Sequence, residues 1–152
     1  VLRAGNKGLA ALTLLLDGGK GAVAVLLAGM YGPDTAVLAG GGAFIGHLFP
    51  IWLKFNGGKG VATFLGVMLA INWPSGSLCC LTWLVVAQLL RYSSVAALVA
   101  ALAGPGYAYY FGNWQIMELA AFMTLLVFIR HHNNIRRLIK GEEPKIGTKK
   151  ST

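Results

Sequence analysis

GLAALTLLLDGGKGAVAVLLAGMY, residues 8–31, is the stretch on which the fold turns. Its only charges are Asp17 and Lys20, and it is long enough for the ~20 helical residues (roughly 17–25) that cross ~30 Å of hydrocarbon. Five further apolar runs follow, at residues 35–53, 57–73, 75–90, 93–111 and 114–129. The first three of the six satisfy the length rule. The last three lie near its lower limit, which suits little tilt or a thinned bilayer. Phe49-Pro50 breaks the second run, Pro74 stops the third, and Gly104-Pro105-Gly106 interrupts the fifth, where neighbouring helices must satisfy the freed backbone groups. Composition agrees: 56% of the 152 residues are hydrophobic and 12% charged, about half the charge of a soluble domain, and the mean hydropathy is +0.64. The expected fold is all-α, a polytopic membrane helix bundle with six transmembrane helices, and a water-soluble globule is excluded.

Thirteen Lys and Arg against five Asp and Glu leave a formal charge of +8. Arg3 and Lys7 precede the first run, Lys54 and Lys59 lie between the second and third, Arg91 between the fourth and fifth, and every basic residue from Arg130 to Lys150 follows the sixth. The other three connections hold none, so the positive-inside rule makes the basic side cytoplasmic and puts both chain ends there. In a bilayer protein such charge is topology first; nucleic acid is not an expected partner, whereas Lys149 and Lys150 suit anionic lipid heads. The chain starts at Val1 rather than Met, with no signal-peptide n-region, and a fragment is expected.

Cys79 and Cys80 are adjacent, where a disulfide would be strained, and are expected to be packing residues. DGGKGAVA at Asp17 and NGGKGVAT at Asn56 are alike, but small residues are common in membrane helix contacts and no wider repeat follows. Asp17 and Lys20, spaced i, i+3, share a helix face and are expected to neutralise each other inside the bilayer. Glu118 suits capping or snorkelling at the far interface.

Chemistry is expected on the basic side. In Asn56-Gly57-Gly58-Lys59-Gly60 three glycines let backbone N–H groups converge on an oxyanion while Lys59 supplies charge. The loop also opens a helix, whose N-terminus favours phosphate, with Thr63 in its first turns. It is not a Walker motif, because no Ser or Thr follows Lys59. His131 and Asn134 are one turn apart on one face: an imidazole moves protons near neutral pH, and an amide holds a hydroxyl or oxyanion. Arg136, Arg137 and Lys140 suit an ordinary basic membrane-proximal tail. His47 brings a third imidazole to the end of the second run. Neither a metal site nor a Ser-His-Asp triad is expected, since carboxylates near these histidines are few. Anion holders without a covalent nucleophile suit substrates that carry phosphate.

Four stretches together resemble the bacterial acyl-phosphate-dependent glycerol-3-phosphate acyltransferases, the PlsY family: GHLFPIWLKFNGGKGVAT at residues 46–63, RHHNNIRRLIKGEE at 130–143, LDGGKG at 16–21 and YSS at 92–94. The resemblance implies a membrane enzyme that moves a fatty acyl group from acyl phosphate to the 1-hydroxyl of glycerol 3-phosphate, giving lysophosphatidic acid and phosphate at the cytoplasmic face of the bacterial inner membrane. It makes His131 and Asn134 the catalytic pair and Gly57, Gly58, Lys59 and Gly60 the phosphate cradle. Arg3 becomes a phosphate ligand, and His47 and Ser94 lie in the substrate neighbourhood. Asp17, Lys20 and Glu143 are structural, Glu143 tying the tail to the helices. Residues 1–141 form the acyltransferase domain and 142–152 a basic tail. No cofactor or metal is expected, the partners are glycerol 3-phosphate, acyl phosphate and membrane lipids, and the protein is expected to be a monomer.

The family carries seven spans and a Ser-Gly-Asn-x-Gly-Ala-Thr-Asn motif before Val-Leu-Arg, of which only Val1-Leu2-Arg3 stands here. Low activity is therefore expected of this chain alone. An acyl phosphate is a mixed anhydride with a good leaving group, so direct attack needs positioning and charge neutralisation more than an acyl-enzyme. The His-x4-Asp pattern of thioester-using acyltransferases is missing: Trp52, Arg136 and Arg137 stand five beyond His47, His131 and His132. The alternative is a small anion transporter or a non-enzymatic subunit of a membrane complex, but transport favours polar groups along a path through several spans.

Overall fold

The computed structural model describes residues 7–147. These form seven α-helices and one 3-10 turn without a strand: α1 (Lys7–Gly29), α2 (Pro33–Leu48), the turn Ile51–Leu53, α3 (Val61–Ile71), α4 (Trp73–Leu90), α5 (Ser93–Phe111), α6 (Trp114–Arg130) and α7 (His132–Ile139). Among the described residues four segments are long and apolar enough to cross a bilayer, namely Gly8–Gly29, Pro33–Leu53, Trp73–Leu90 and Ser93–Phe111. At 17 residues, α6 meets the lower limit of roughly 17.

The third run departs from expectation. Its helix has only 11 residues, about 16 Å at 1.5 Å per residue, shorter than the ~30 Å of hydrocarbon although it links the basic end to the aromatic end. Residues 57–60 remain a loop, and Asn72, not Pro74, ends the helix: the Asn72 N–H caps α3 through the Met68 carbonyl, while Pro74 sits in the first turn of α4, where its missing N–H costs nothing. The short helix is tolerated because it is central. It packs on α1, α2, α4, α5 and α6 and buries Thr63, Phe64, Gly66, Val67 and Met68, so little of it meets lipid.

Small residues bring the helices together, as packing in hydrocarbon requires. A Cβ on Gly66 would run into the Gly18 backbone, and one on Gly21 into Val67 and Thr63. Gly18 and Gly21 of the LDGGKG stretch thus form the α1–α3 contact, whereas Gly19 faces open space. Pro105 lies inside α5 and deprives the Ala101 carbonyl of its usual donor. The Thr124 hydroxyl of α6, 2.6 Å from Ala101 O and 2.7 Å from Ala120 O, reaches that carbonyl, the repair expected of a neighbouring helix. At one end Tyr31, Trp73, Tyr109, Tyr110 and Trp114 are exposed, an aromatic belt of the kind that sits at a membrane interface. The other, basic end carries Lys54, Lys59, Arg91 and Arg130 between and after the spans.

Candidate functional site

The candidate residues converge on the basic end, apart from Arg3, which lies outside the described residues. The loop that carries Lys59 is bent by its sequence. After α2 the chain turns through Pro50 and Ile51–Leu53, and Lys54 and Phe55 take φ of 51° and 63°, which folds residues 56–60 back on the last turn of α2. There the Gly58 N–H donates to His47 O at 3.3 Å. A Cβ on Gly57 would strike the His47 and Leu48 carbonyls, one on Gly58 the His47 ring, and one on Gly60 the Phe44 ring. Gly60 also takes φ 83° as the N-cap of α3. Close contact therefore demands these glycines, independently of any ligand.

Arg130 grips the loop from the other side. Its Nη2 donates to Gly57 O at 2.6 Å and its Nε to Gly58 O at 3.2 Å, and its guanidinium lies 5.7 Å from the Phe49 ring centroid. With the Gly58 carbonyl turned to Arg130, the Lys59 N–H in the same trans peptide faces the opposite way. Behind it stands the positive end of α3, whose first N–H groups have no intrahelical acceptor.

The sequence places His131 and Asn134 on one helix, but the structure breaks the chain between α6 and α7 at His131. The His131 N–H closes α6 on Val127 O and Phe128 O at 3.0 and 3.1 Å, so His131 stands at a corner and Asn134 in the first turn of α7. Both are buried. His131 Nδ1 lies 2.8 Å from Val127 O. A carbonyl only accepts, so Nδ1 carries the proton and Nε2 presents a lone pair. Burial, reinforced by the Lys59 charge, holds the His131 pKa below its ordinary 6.5 against the opposing pull of the Val127 hydrogen bond and Glu143. The imidazole is neutral at pH 7.

Four polar side chains then form a continuous line. Lys59 Nζ donates to Asn134 Oδ1 at 2.5 Å, Asn134 Nδ2 to Glu143 Oε1 at 2.6 Å, and Arg137 Nε to Glu143 Oε2 at 2.7 Å. Burial pushes the Glu143 carboxyl up, but the hydrogen bonds from Asn134 and Arg137, with the Ser94 hydroxyl close by, outweigh it, and the pKa falls below 4.5. Ser94 Oγ is buried and faces this carboxylate without closing a well-formed hydrogen bond. The tail is strapped beyond Glu143: Ile146 N–H donates to Arg91 O at 2.6 Å, and Arg91 Nη2 returns a bond to Ile146 O at 3.0 Å.

Two arginines change role. Arg137, expected in an ordinary basic tail, holds Glu143, and Arg130 clamps the glycine loop. Their sequence neighbours give no sign of this beyond a shared side of the membrane. Asp17 and Lys20 do pair, at 2.7 Å, but Lys20 Nζ also lies 2.6 Å from His47 Nδ1. Thr63 Oγ1 donates to Asp17 O at 2.9 Å.

Residues 1–141 match the family model described as glycerol-3-phosphate acyltransferase. A curated protein of that name from Caulobacter vibrioides is 58% identical over 154 residues, a match covering 99% of this chain and 71% of the relative. One from Mesorhizobium japonicum is 56% identical over 149 residues, covering 98% and 76%. Among solved structures, PlsY, an integral membrane glycerol 3-phosphate acyltransferase, in its glycerol 3-phosphate form shares the fold with a TM-score of 0.90 and 32% identity, over 96% of this chain and 75% of that one. Its lysophosphatidic acid form gives 0.89.

Proposed function

This chain belongs to the glycerol-3-phosphate acyltransferase family, and from that premise we propose that it moves a fatty acyl group from acyl phosphate to the 1-hydroxyl of glycerol 3-phosphate, giving lysophosphatidic acid and inorganic phosphate. The observation that carries this reading is the 2.5 Å bond from Lys59 to Asn134. It joins the glycine loop to the His131 and Asn134 corner across 75 residues of sequence, putting an anion seat beside a neutral imidazole.

In the proposed reaction Gly57, Gly58, Lys59 and Gly60, with Ser94 and Arg3, hold the phosphate-bearing substrates, and His47 backs the glycine loop. The 1-hydroxyl oxygen attacks the carbonyl carbon of the mixed anhydride, the new ester C–O bond forms, and the bond to the phosphate oxygen breaks with its electron pair leaving on phosphate. His131 Nε2 takes the hydroxyl proton, and Asn134 orients the reacting groups. No covalent acyl-enzyme is needed, because phosphate is already a good leaving group and positioning supplies the rate. The acyl chain enters sideways from the inner leaflet of the bacterial plasma membrane, with the basic end at the cytoplasmic face.

The test is an assay of the full-length protein in detergent with acyl phosphate and glycerol 3-phosphate, following released phosphate and lysophosphatidic acid. Both products are expected to appear together. Binding of glycerol 3-phosphate without phosphate release would replace this reading with anion transport. Near-normal turnover of His131→Gln would move the base from His131 to the phosphate of the donor.

A further inference from the structure

Among the charged groups the mechanism does not use is Lys20, inside the first span with its side chain 43% exposed. Its pairing with Asp17 explains why it is tolerated there, but not why it also reaches α2. Lys20 Nζ lies 2.7 Å from Asp17 Oδ1 and 2.6 Å from His47 Nδ1, and His47 Nδ1 lies 3.4 Å from the same Asp17 oxygen. An ammonium can only donate, so His47 Nδ1 accepts and the ring proton of the neutral imidazole belongs on Nε2.

That second nitrogen has a definite direction. Of all atoms around Gly58, His47 Nε2 is the one a Cβ would meet first, followed by Cε1 and Cδ2. The imidazole therefore stands between Lys20 on one edge and the glycine loop on the other, while the His47 carbonyl receives the Gly58 N–H at 3.3 Å. Asp17 reaches the same neighbourhood through its backbone, since its carbonyl accepts from Thr63 in the first turn of α3 at 2.9 Å.

We infer that Asp17, Lys20 and His47 form a strut behind the phosphate loop, in which Lys20 is a positioning residue: its bond to Nδ1 holds the edge of the His47 ring against Gly58 and so sets the loop for the phosphate of glycerol 3-phosphate. This rests on the reading of the loop as a phosphate seat. The strut acts on substrate binding and leaves the acyl-transfer step to the other wall of the site. Ordinary helix-pair neutralisation would need Asp17 and Lys20 alone, whereas the strut needs all three groups in line.

The test compares His47→Asn with His47→Gln in the full-length enzyme. Glutamine is long enough to accept from Lys20 while its amide rests against Gly58, whereas asparagine is too short to do both. Loss of either end of the strut predicts about a tenfold rise in KM for glycerol 3-phosphate in His47→Asn, with kcat within about threefold and His47→Gln near the parent. Lys20→Met should repeat the His47→Asn pattern, and Lys20→Arg should restore most of it. Both His47 variants keep the Asp17–Lys20 pair, so the comparison holds even where Lys20→Met does not fold. Equal behaviour of His47→Asn and His47→Gln, or a fall in kcat at unchanged KM, overturns the strut while the acyltransferase reading stands. A parent enzyme that neither binds glycerol 3-phosphate in calorimetry nor releases phosphate overturns that reading, and the strut with it.

Discussion

The two ends of the bundle are closed by different kinds of hydrogen bond. At the aromatic end, Asn113 Oδ1 accepts the Ile116 N–H at 3.0 Å, and Asn72 Oδ1 accepts the Ser75 N–H at 3.1 Å. These helix caps are each confined to one turn of chain, and the longer links beside them, Asn72 Nδ2 to Phe111 O and Gln115 Nε2 to the Asp34 carboxylate, bring in no cation and no imidazole. At the basic end the bonds run between distant segments and most involve an ion: Lys59 to Asn134, Arg130 to Gly57 and Lys20 to His47. Caps satisfy helix termini and need nothing further. A set of charged cross-links that also puts a neutral imidazole at a corner is expensive to build, because each polar group must be desolvated. Stability alone does not call for it, and the difference supports the proposal that substrates are handled at the basic end.

Substitutions should therefore separate activity from stability by end, and the largest effect is expected at His131. Removing a general base costs roughly 10²–10⁴ in rate, so His131→Ala should lower kcat about a thousandfold while the melting temperature in detergent changes little. A loss shared equally between kcat and folded yield would erase the contrast. Lys59→Met comes next. It removes a charge-assisted bond to Asn134 and the cation of the loop, and KM for glycerol 3-phosphate should rise roughly 10–100-fold, read from initial rates at saturating acyl donor.

How much of this contrast was legible beforehand depends on the range of each interaction. Helix order and the side on which the charges fall follow from hydropathy and the placement of Lys and Arg, which act locally along the chain. The span at 93–111 matches α5 to the residue. The span at 57–73 does not match, because its ends are set by contacts with α2 and α5, such as the Asn72 Nδ2 bond to Phe111 O at 3.0 Å. The site shows the same division. The glycine loop, His131 and Asn134 are visible as residue types in a pattern, but the Arg130 clamp, the Arg137 bond to Glu143 and the reach of Lys20 to His47 require tertiary pairing. A lone basic residue beside a membrane span carries no sign of which carbonyl or carboxylate it will meet.

Acidity offers a finer test of the basic end. The Glu143 carboxyl titrates below its ordinary 4.5, so its folded-state contribution is complete above that value and is lost as pH falls through the lowered pKa. His131 titrates below 6.5, so protonation is resisted in the fold and the neutral base persists to lower pH than in a free histidine. The acid limb of kcat/KM, which reports the free enzyme, should accordingly lie below pH 6.5. His131→Gln, which has no imidazole, should lose that limb and so exclude substrate ionisation as its source. A limb at or above pH 6.5 would contradict the buried, Lys59-facing geometry. Glu143→Gln should lower kcat/KM about tenfold, because Arg137 loses its carboxylate and the amide can turn a donor toward Asn134.

The smallest expected effect lies at the opposite end and is the control for all the others. Asn113 caps α6 through a single bond to Ile116 N, and replacing an N-cap by alanine typically costs about 1 kcal/mol. Asn113→Ala should lower thermal stability in detergent by that amount and leave kcat and KM unchanged, while Asn113→Asp, which keeps the accepting oxygen, should be close to the parent. The expectation is sharp because α6 is the helix that delivers Arg130 and His131 at its other end. If loosening its first turn also changed KM for glycerol 3-phosphate, the two ends would be mechanically coupled through α6. The division between a structural end and a chemical end would then give way to one helix that serves both.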